Sequence, residues 1–295
     1  MIIGMKREGI PIDMILFADT GGERPHTYAF IETFNKWLVA NSLPQIQIVK
    51  YTDQNGNIQT LEEECLRLGV LPAVAYGYKS CSQKYKIGVQ EKFCNNDPHC
   101  QALWSAGGKI NKFVGYDAGE ARRVEHAKVK AAAEPEIIEF EPITFPGFGI
   151  EKLQPQQEAP KKKSKIEMEE NKFEKTYFLF DKGWTREKCV DVILSEGLPA
   201  PGKSSCFFCS SMRKEEIQDL YLHDRELFDR AVAMEENAAP NLDKVKGLGR
   251  RWSWKDYIND WQEVKEYAGA QTMLEQYEDA PGGCLCGMPC GCYDG

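Results

Sequence analysis

The stretch "ILFADTGGE", residues 15–23, decides how the fold is interpreted. An apolar run stops at an acid, a hydroxyl and two glycines. Buried parallel strands of open α/β sheets end in this way, because ligands bind at their carboxyl ends and the backbone turns sharply there. The stretch therefore predicts a strand over residues 11–20. Its turn offers Asp19, Thr20 and Gly21 to a ligand, and a turn in which Asp19 only caps the next helix is the alternative.

Helix and strand patterns alternate after this turn. Helical spacing of apolar residues predicts a helix over residues 27–41, "IQIVKY" at residues 46–51 predicts a second strand, and "LEEECLRLGV" at residues 61–70 predicts a short helix. Such alternation is typical of a parallel, doubly wound sheet. We also expect residues 1–10 to be the end of a helix and residues 213–237 to be helical.

Composition and charge limit the functional class. The chain has 295 residues, is 42% hydrophobic and carries a net charge of −8. This balance lacks the general basic character of duplex-binding proteins, although a local basic cleft stays open. No apolar run is long enough to span a membrane, and the N-terminus lacks a signal-peptide layout, so we expect a cytoplasmic protein without a membrane partner. Eleven cysteines then favour metal, redox or catalytic use over disulfides.

The chain is expected to divide into four regions. Residues 1–130 form a nucleotide-binding α/β domain. Residues 131–175 are rich in Pro, Glu and Lys and are predicted to be an inserted flexible charged segment. Residues 176–270 form a helical part that carries a Cys-x-x-Cys site, and residues 271–295 are a Gly- and Cys-rich tail.

The strongest chemical motif is Cys206-x-x-Cys209 in "GKSSCFFCSSM". This spacing allows two thiolates to bind one metal. Cys81 and Cys189 are the best candidates to complete a site, which four thiolates would fit to zinc or an iron–sulfur cluster. A redox dithiol or a pair of buried apolar cysteines is the alternative.

Two further segments offer groups that suit phosphate. Lys86 lies close to Cys81, where a lysine either favours the thiolate or meets a phosphate. "GYDAGEARRV", residues 115–124, follows an apolar strand and supplies an arginine fork with an adjacent acid. The residues of this loop predicted to bind a ligand are Gly115, Glu120, Arg122 and Arg123, and a helix start with a surface ion pair is the alternative.

These segments, taken in order, resemble the PAPS reductase-like family, in particular its phage-type branch. The segments are "FADTGGERPHTY", "KSCSQKYKI", "VGYDAGEARR", "GWTREKCVDVILSEGLPAPGKSSCFFC", "GLGRRWSWKDY" and "CGCYDG". The family belongs to the adenine-nucleotide α-hydrolase (N-type ATP pyrophosphatase) superfamily. The resemblance implies a HUP-type, Rossmann-like α/β/α sandwich with a five-stranded, mostly parallel sheet, followed by a helical, cysteine-containing C-terminal region.

The resemblance also implies a cofactor and a chemistry. An adenine nucleotide (ATP, PAPS or AMP-type) would lie over the strand ends, beside a [4Fe-4S] cluster or zinc. The reductase branch uses a mobile C-terminal cysteine as nucleophile toward the sulfonucleotide. Its E-C-G-x-H motif is absent, and "PCGCYDG" offers Cys290 and Cys292 instead. The expected activity is sulfur transfer, sulfonucleotide reduction or nucleic-acid modification, with a redox partner.

One superfamily motif is missing from the sequence. S-G-G-x-D-S, whose loop cradles the pyrophosphate of ATP, does not occur. Either translation begins upstream or the loop has been lost, so we expect weak nucleotide binding and no ATP cleavage. Two non-enzymatic hypotheses stay open: a metal-stabilised binding module that kept the fold, and a zinc-containing nucleic-acid-binding protein.

Overall fold

The structure is a computed structural model that describes residues 1–78, 80–132 and 172–267. The chain divides into two compact units. The main unit combines Ile2–Asp97 with Cys189–Gly295, and the insert unit is Pro98–Lys188 together with Met1. Each unit is described by itself.

The main unit begins with a helix, a strand, a helix and a strand. These elements are α1 (Ile2–Arg7), β1 (Ile15–Asp19), α2 (Pro25–Ala40) and β2 (Ile46–Lys50). β1 and β2 are parallel, with Ile15 paired to Ile46 at one end and Asp19 to Lys50 at the other. The parallel pair requires a crossover, and α2 provides it by burying Ile31, Phe34 and Leu38.

The second part of the main unit is a chain of short helices. It contains α3 (Leu61–Leu68), a 3₁₀ turn (Ala73–Tyr76), α4 (Ser80–Ser82), a π-helical turn (Gln83–Ile87) and α5 (Gly88–Asn96). Thr60 and Glu63 form a capping box at the start of α3, and Gly69 ends it in a left-handed conformation, φ 61°.

Helices from the C-terminal half enclose the main core. They are α10 (Lys214–His223), α11 (Arg225–Ala238) and α12 (Trp254–Tyr267). Their fully buried side chains include Ile217, Leu220, Met234 and Trp254, which share one apolar cluster with Leu61 of α3. Glu62 of α3 also pairs with Arg230 of α11, at 2.5 Å. Because burial of these apolar side chains is the main favourable free-energy contribution, α3 and the C-terminal helices are stable only together.

The insert unit contains a second parallel pair. Its elements are α6 (Pro98–Ser105), β3 (Ile110–Phe113), a 3₁₀ turn (Ala118–Glu120), α7 (Ala121–Ala132), β4 (Phe173–Thr176) and α8 (Phe178–Asp181). β3 pairs with β4 from Ile110–Phe173 to Phe113–Thr176. α9 (Arg186–Ser195) starts in this unit and ends in the main unit.

The described residues thus form a mixed α/β fold with two parallel strand pairs. The predicted strand at the N-terminus is real but shorter than residues 11–20. The predicted helix over residues 213–237 is two helices, because the chain breaks at Asp224. A single five-stranded sheet stays a prediction. Of the predicted inserted segment (residues 131–175), residues 133–171 lie outside the described residues, as does the predicted tail (residues 271–295) with Cys290 and Cys292.

No helix in the described ranges is both long and apolar enough to cross a bilayer.

A buried carboxylate holds the loop that leads into α12. Glu235 is only 5% exposed and accepts hydrogen bonds from the backbone N–H of Leu248, at 2.6 Å, and of Trp254, at 3.0 Å to each oxygen. A Cβ atom on Gly247 would lie 2.5 Å from the same carboxylate. Burial raises the pKa of Glu235 to about 7, although the backbone donors act in the opposite direction.

We predict that Glu235 makes the free energy of unfolding depend on pH. The folded state binds this proton more tightly than the unfolded state, whose pKa is near the ordinary 4.5. Stability relative to Glu235→Gln should therefore fall by about 3 kcal/mol as pH rises from about 4.5 to about 7, and stay level above that. Urea unfolding of both proteins across this range measures the difference, and a difference independent of pH would contradict the assignment.

Candidate functional site

The turn after β1 is hydrogen-bonded to the Cys-x-x-Cys segment. Thr20 Oγ1 lies 3.0 Å from Cys206 Sγ, the backbone N–H of Phe207 donates to the Gly22 carbonyl at 2.7 Å, and Glu23 forms an antiparallel bridge with Cys206. Two segments more than 180 residues apart in sequence therefore make one site in the main unit.

Both glycines of the turn are required by space. Gly21 has φ 76°, and a Cβ atom on it would lie 2.3 Å from the Thr60 methyl group. A Cβ atom on Gly22 would lie 2.6 Å from the ring of Phe208, which is itself fully buried. The glycines thus permit α3 and the Cys-x-x-Cys segment to approach the strand end.

Asp19 is occupied by partners within the protein. One oxygen accepts from the backbone N–H of Gly21 and from the Tyr28 hydroxyl, both at 2.8 Å, and the other lies 3.3 Å from Lys50 Nζ. Burial and the Asp19 carboxylate together raise the pKa of Tyr28 well above its usual range. Asp19 therefore stabilises the turn itself and does not cap α2, whose N-cap is Arg24 without a side-chain cap hydrogen bond, and ligand binding by Asp19 and Thr20 stays a prediction.

Glu23 is a buried acid that the sequence did not single out. Its side chain is 0% exposed, accepts from the Ser204 hydroxyl at 2.9 Å and lies 3.4 Å from Lys86 Nζ. Lys86, which was predicted to hold phosphate, thus has the Glu23 carboxylate as a partner within the protein. Burial lowers the pKa of Lys86, but the charge of Glu23 outweighs this effect and keeps the pKa raised. Lys86 stands on the π-helical turn, a conformation that is frequent at functional sites.

Four cysteines share the main apolar core, and we call them the thiol cluster. They belong to the main apolar core or pack against it, and they are Cys65, Cys81, Cys206 and Cys209. Their charges reach one another: Cys81 and Cys206 raise the pKa of Cys65, Cys81 raises that of Cys209, and Cys209 raises that of Cys206. That Cys81, Cys206 and Cys209 converge on one metal site stays a prediction.

The thiol cluster does not include Cys189, whose predicted place as the fourth metal ligand stays a prediction. Cys189 lies on α9 and is not part of the apolar core that defines the cluster, whereas Cys65 of α3 is, and is 3% exposed. The sequence pattern that indicates burial of Cys65 is its position four residues after Leu61, on the apolar face of a short helix. Among the described residues, no three His, Cys, Asp or Glu side chains have the geometry to hold a metal ion.

Burial controls the chemistry of these thiols. It raises the pKa of Cys65 and of Cys206 to about 12, and the Thr20 hydroxyl and the Lys86 charge offset only part of the effect at Cys206. A pKa this high keeps the Cys65 and Cys206 thiols protonated and weakly nucleophilic at neutral pH. A metal that binds them must displace the protons and supply the missing positive charge.

The remaining predicted ligand residues lie in the insert unit. Asp117 and Glu120 form a capping box at the 3₁₀ turn, Glu120 pairs with Arg123, and the Arg123 guanidinium stands 4.2 Å from the Tyr116 ring centre. Gly115 has open space around its Cα, and Arg122 is exposed. That these residues share a pocket with Asp19 stays a prediction.

Comparison with protein-family models, with curated proteins and with solved structures found no match. The resemblance to the PAPS reductase-like family therefore stays a prediction that rests on the six sequence segments.

We predict that Cys65 and Cys206 resist alkylation in the native, metal-free chain. A pKa near 12 instead of 9.0 lowers the thiolate fraction about a thousandfold at neutral pH. Iodoacetamide treatment at pH 7.5 with and without urea, followed by mass spectrometry of each cysteine peptide, measures this. Equal rates for Cys206 in the native and unfolded chain would show that its thiol is neither buried nor protonated.

Proposed function

We propose that the chain is a PAPS reductase-like adenine-nucleotide-binding protein in which the thiol cluster holds an iron–sulfur cluster or zinc for sulfur chemistry. The contact between Thr20 and Cys206, at 3.0 Å, carries the proposal. It places a predicted nucleotide-binding turn and the Cys-x-x-Cys segment side by side. In the proposed fold, β1 and β2 belong to one mostly parallel HUP-type sheet whose carboxyl ends face the nucleotide.

The donor set fits a thiophilic metal. Four thiols with no disulfide lie within one apolar core, and soft thiolate ligands select zinc or iron–sulfur centres. The sulfurs would reach ligating positions by rotation of the cysteine side chains between staggered rotamers. When bound, an iron–sulfur cluster would supply electrons or hold sulfur, whereas zinc would polarise the bound group.

The residues of the chain supply the electrostatics of this site. Lys86 lowers the pKa of both Cys206 and Cys209, so it favours their thiolates, and Glu23 fixes the position of the Lys86 ammonium group. Arg122 and Arg123 are the proposed phosphate or sulfate ligands, by analogy with charge-assisted arginine–phosphate pairs. Cys290 and Cys292 are the proposed nucleophiles toward the sulfur of a sulfonucleotide.

A non-catalytic, metal-stabilised binding module is the second candidate. The observation that favours it is the internal satisfaction of Asp19, whose two oxygens already have Gly21, Tyr28 and Lys50 as partners. A module of this kind would bind metal through the thiol cluster but would turn over no sulfonucleotide.

The metal is tested on anaerobically purified protein. The wild-type chain should carry about one zinc, or about four iron atoms with matching sulfide, and Cys206→Ser should lose them. Because Cys65 shares the apolar core with Cys206 and Cys189 does not, we further propose that Cys65→Ser loses the metal while Cys189→Ser keeps it. Cys100→Ser, a change at a buried cysteine of the insert unit, is the matched control.

Two results would contradict the metal proposal. One is full metal content in Cys206→Ser with circular dichroism like that of the wild type. The other is equal loss in Cys65→Ser and the Cys100→Ser control, since this would report general unfolding. Loss in Cys189→Ser but not in Cys65→Ser would restore the ligand set expected from the sequence.

The nucleotide is tested by calorimetry with the chain as written. AMP should bind more tightly than GMP, and Arg122→Ala should weaken AMP binding by about 1.5–3 kcal/mol, the value of a hydrogen bond to a charged group. Lys36→Gln, which removes an exposed cation of α2, is the control. Equal affinity for AMP and GMP would overturn the adenine assignment and leave the metal result untouched.

A further inference from the structure

The loop between α11 and α12 presents a run of cations on a fixed backbone. We call residues 244–253 the arginine loop. Leu248 anchors it and is fully buried. On either side of this anchor the basic side chains are exposed, and they are Lys244, Lys246, Arg250 and Arg251.

Backbone hydrogen bonds hold the arginine loop in one conformation. The Lys246 N–H donates to the Arg250 carbonyl at 2.7 Å, and the Arg250 N–H donates to the Gly247 carbonyl at 2.9 Å. The Glu235 carboxylate also holds the arginine loop, because it accepts hydrogen bonds from the backbone N–H groups of Leu248 and Trp254. A buried acid and an anchored leucine thus order the backbone from which the exposed basic side chains project.

Arg250 is strained within this arrangement. Its φ is 66°, a left-handed conformation that is unfavourable for a residue with a side chain and that glycine adopts freely. Such conformations persist where the surrounding structure imposes them, and they concentrate at functional positions.

The cations of the arginine loop lack acidic partners among the described residues. No ion pair involves Lys244, Lys246, Arg250 or Arg251 there, whereas neighbouring Lys255 is paired with Glu236, at 2.8 Å. Lys214 adds a fifth cation, 5.8 Å from the Trp252 ring centre, and Trp252 itself lies against Gly249. Residues 244–253 contain four cations and no acid, and the exposed acids Asp243 and Asp256 flank them in the sequence.

We propose that the arginine loop binds the phosphate backbone of a single-stranded nucleic acid. The guanidinium group of an arginine matches phosphate oxygens in geometry, and a loop whose backbone is already ordered loses less conformational entropy on binding. Several exposed cations spread along one loop match a polyanion with repeated phosphates better than they match one mononucleotide. The proposal goes beyond the proposed function, because it needs neither the thiol cluster nor the adenine nucleotide.

The test is fluorescence anisotropy with a labelled 20-nucleotide single strand of mixed sequence, over a series of NaCl concentrations. Arg250→Gly with Arg251→Gln removes two charges, and glycine suits the φ of position 250. Affinity at 50 mM NaCl should fall roughly tenfold, and the slope of log Kd against log salt should become shallower by about 0.7 for each lost contact. Lys244→Gln with Lys246→Gln should act in the same direction.

The matched control removes two exposed cations elsewhere in the main unit. Lys36→Gln with Arg67→Gln should leave both affinity and slope unchanged, and Cys206→Ser should still bind the strand. Equal weakening in this control and in the loop variants, with all chains folded by circular dichroism, overturns the proposal. So does an absence of salt-dependent binding by the wild type, or binding to phosphatidylserine vesicles without binding to the strand.

Discussion

The pairing of the turn after β1 with the Cys-x-x-Cys segment is the interaction on which the main unit depends. The backbone bond from Phe207 to Gly22 and the contact of Thr20 with Cys206 join the strand end to residues that follow the insert unit. Arg24 extends the same seam, because it pairs with Asp219 and Asp224 where α10 meets α11. These contacts connect the end of β1 and the start of α2 to the Cys-x-x-Cys segment and to the C-terminal helices α10 and α11.

Charge inside this seam is balanced locally. Glu23 is buried beside a hydroxyl and an ammonium group, so its burial cost is offset by a hydrogen bond and an ion pair. The thiol cluster has no such compensation while it is protonated, since neutral thiols need none. In this site the buried charge of Glu23 is compensated by Ser204 and Lys86, whereas the charge of the thiol cluster depends on what binds to it.

The sequence was informative where a pattern is local. The strand at Ile15–Asp19 and the helix at Pro25–Ala40 follow from apolar runs and periodicity, which depend on neighbours within a few residues. Cys65 and Glu23 were missed, because their importance comes from residues brought close by the fold. The partners of Asp19 show the same limit: Lys50 is adjacent only through the strand register. The break at Asp224 was missed because Arg24, far away in sequence, is one of its partners.

The insert unit lies between the two halves of the main unit in the chain, and this order has a consequence for biosynthesis. When the first 97 residues leave the ribosome, the partners of Gly22, Thr20 and Arg24 have not been made. Thr20 and Cys206 are 186 residues apart, so the main unit must close this long loop against chain entropy. Cys65 and Cys81 are synthesised well before Cys206 and Cys209, so the thiol cluster can be completed only late in translation.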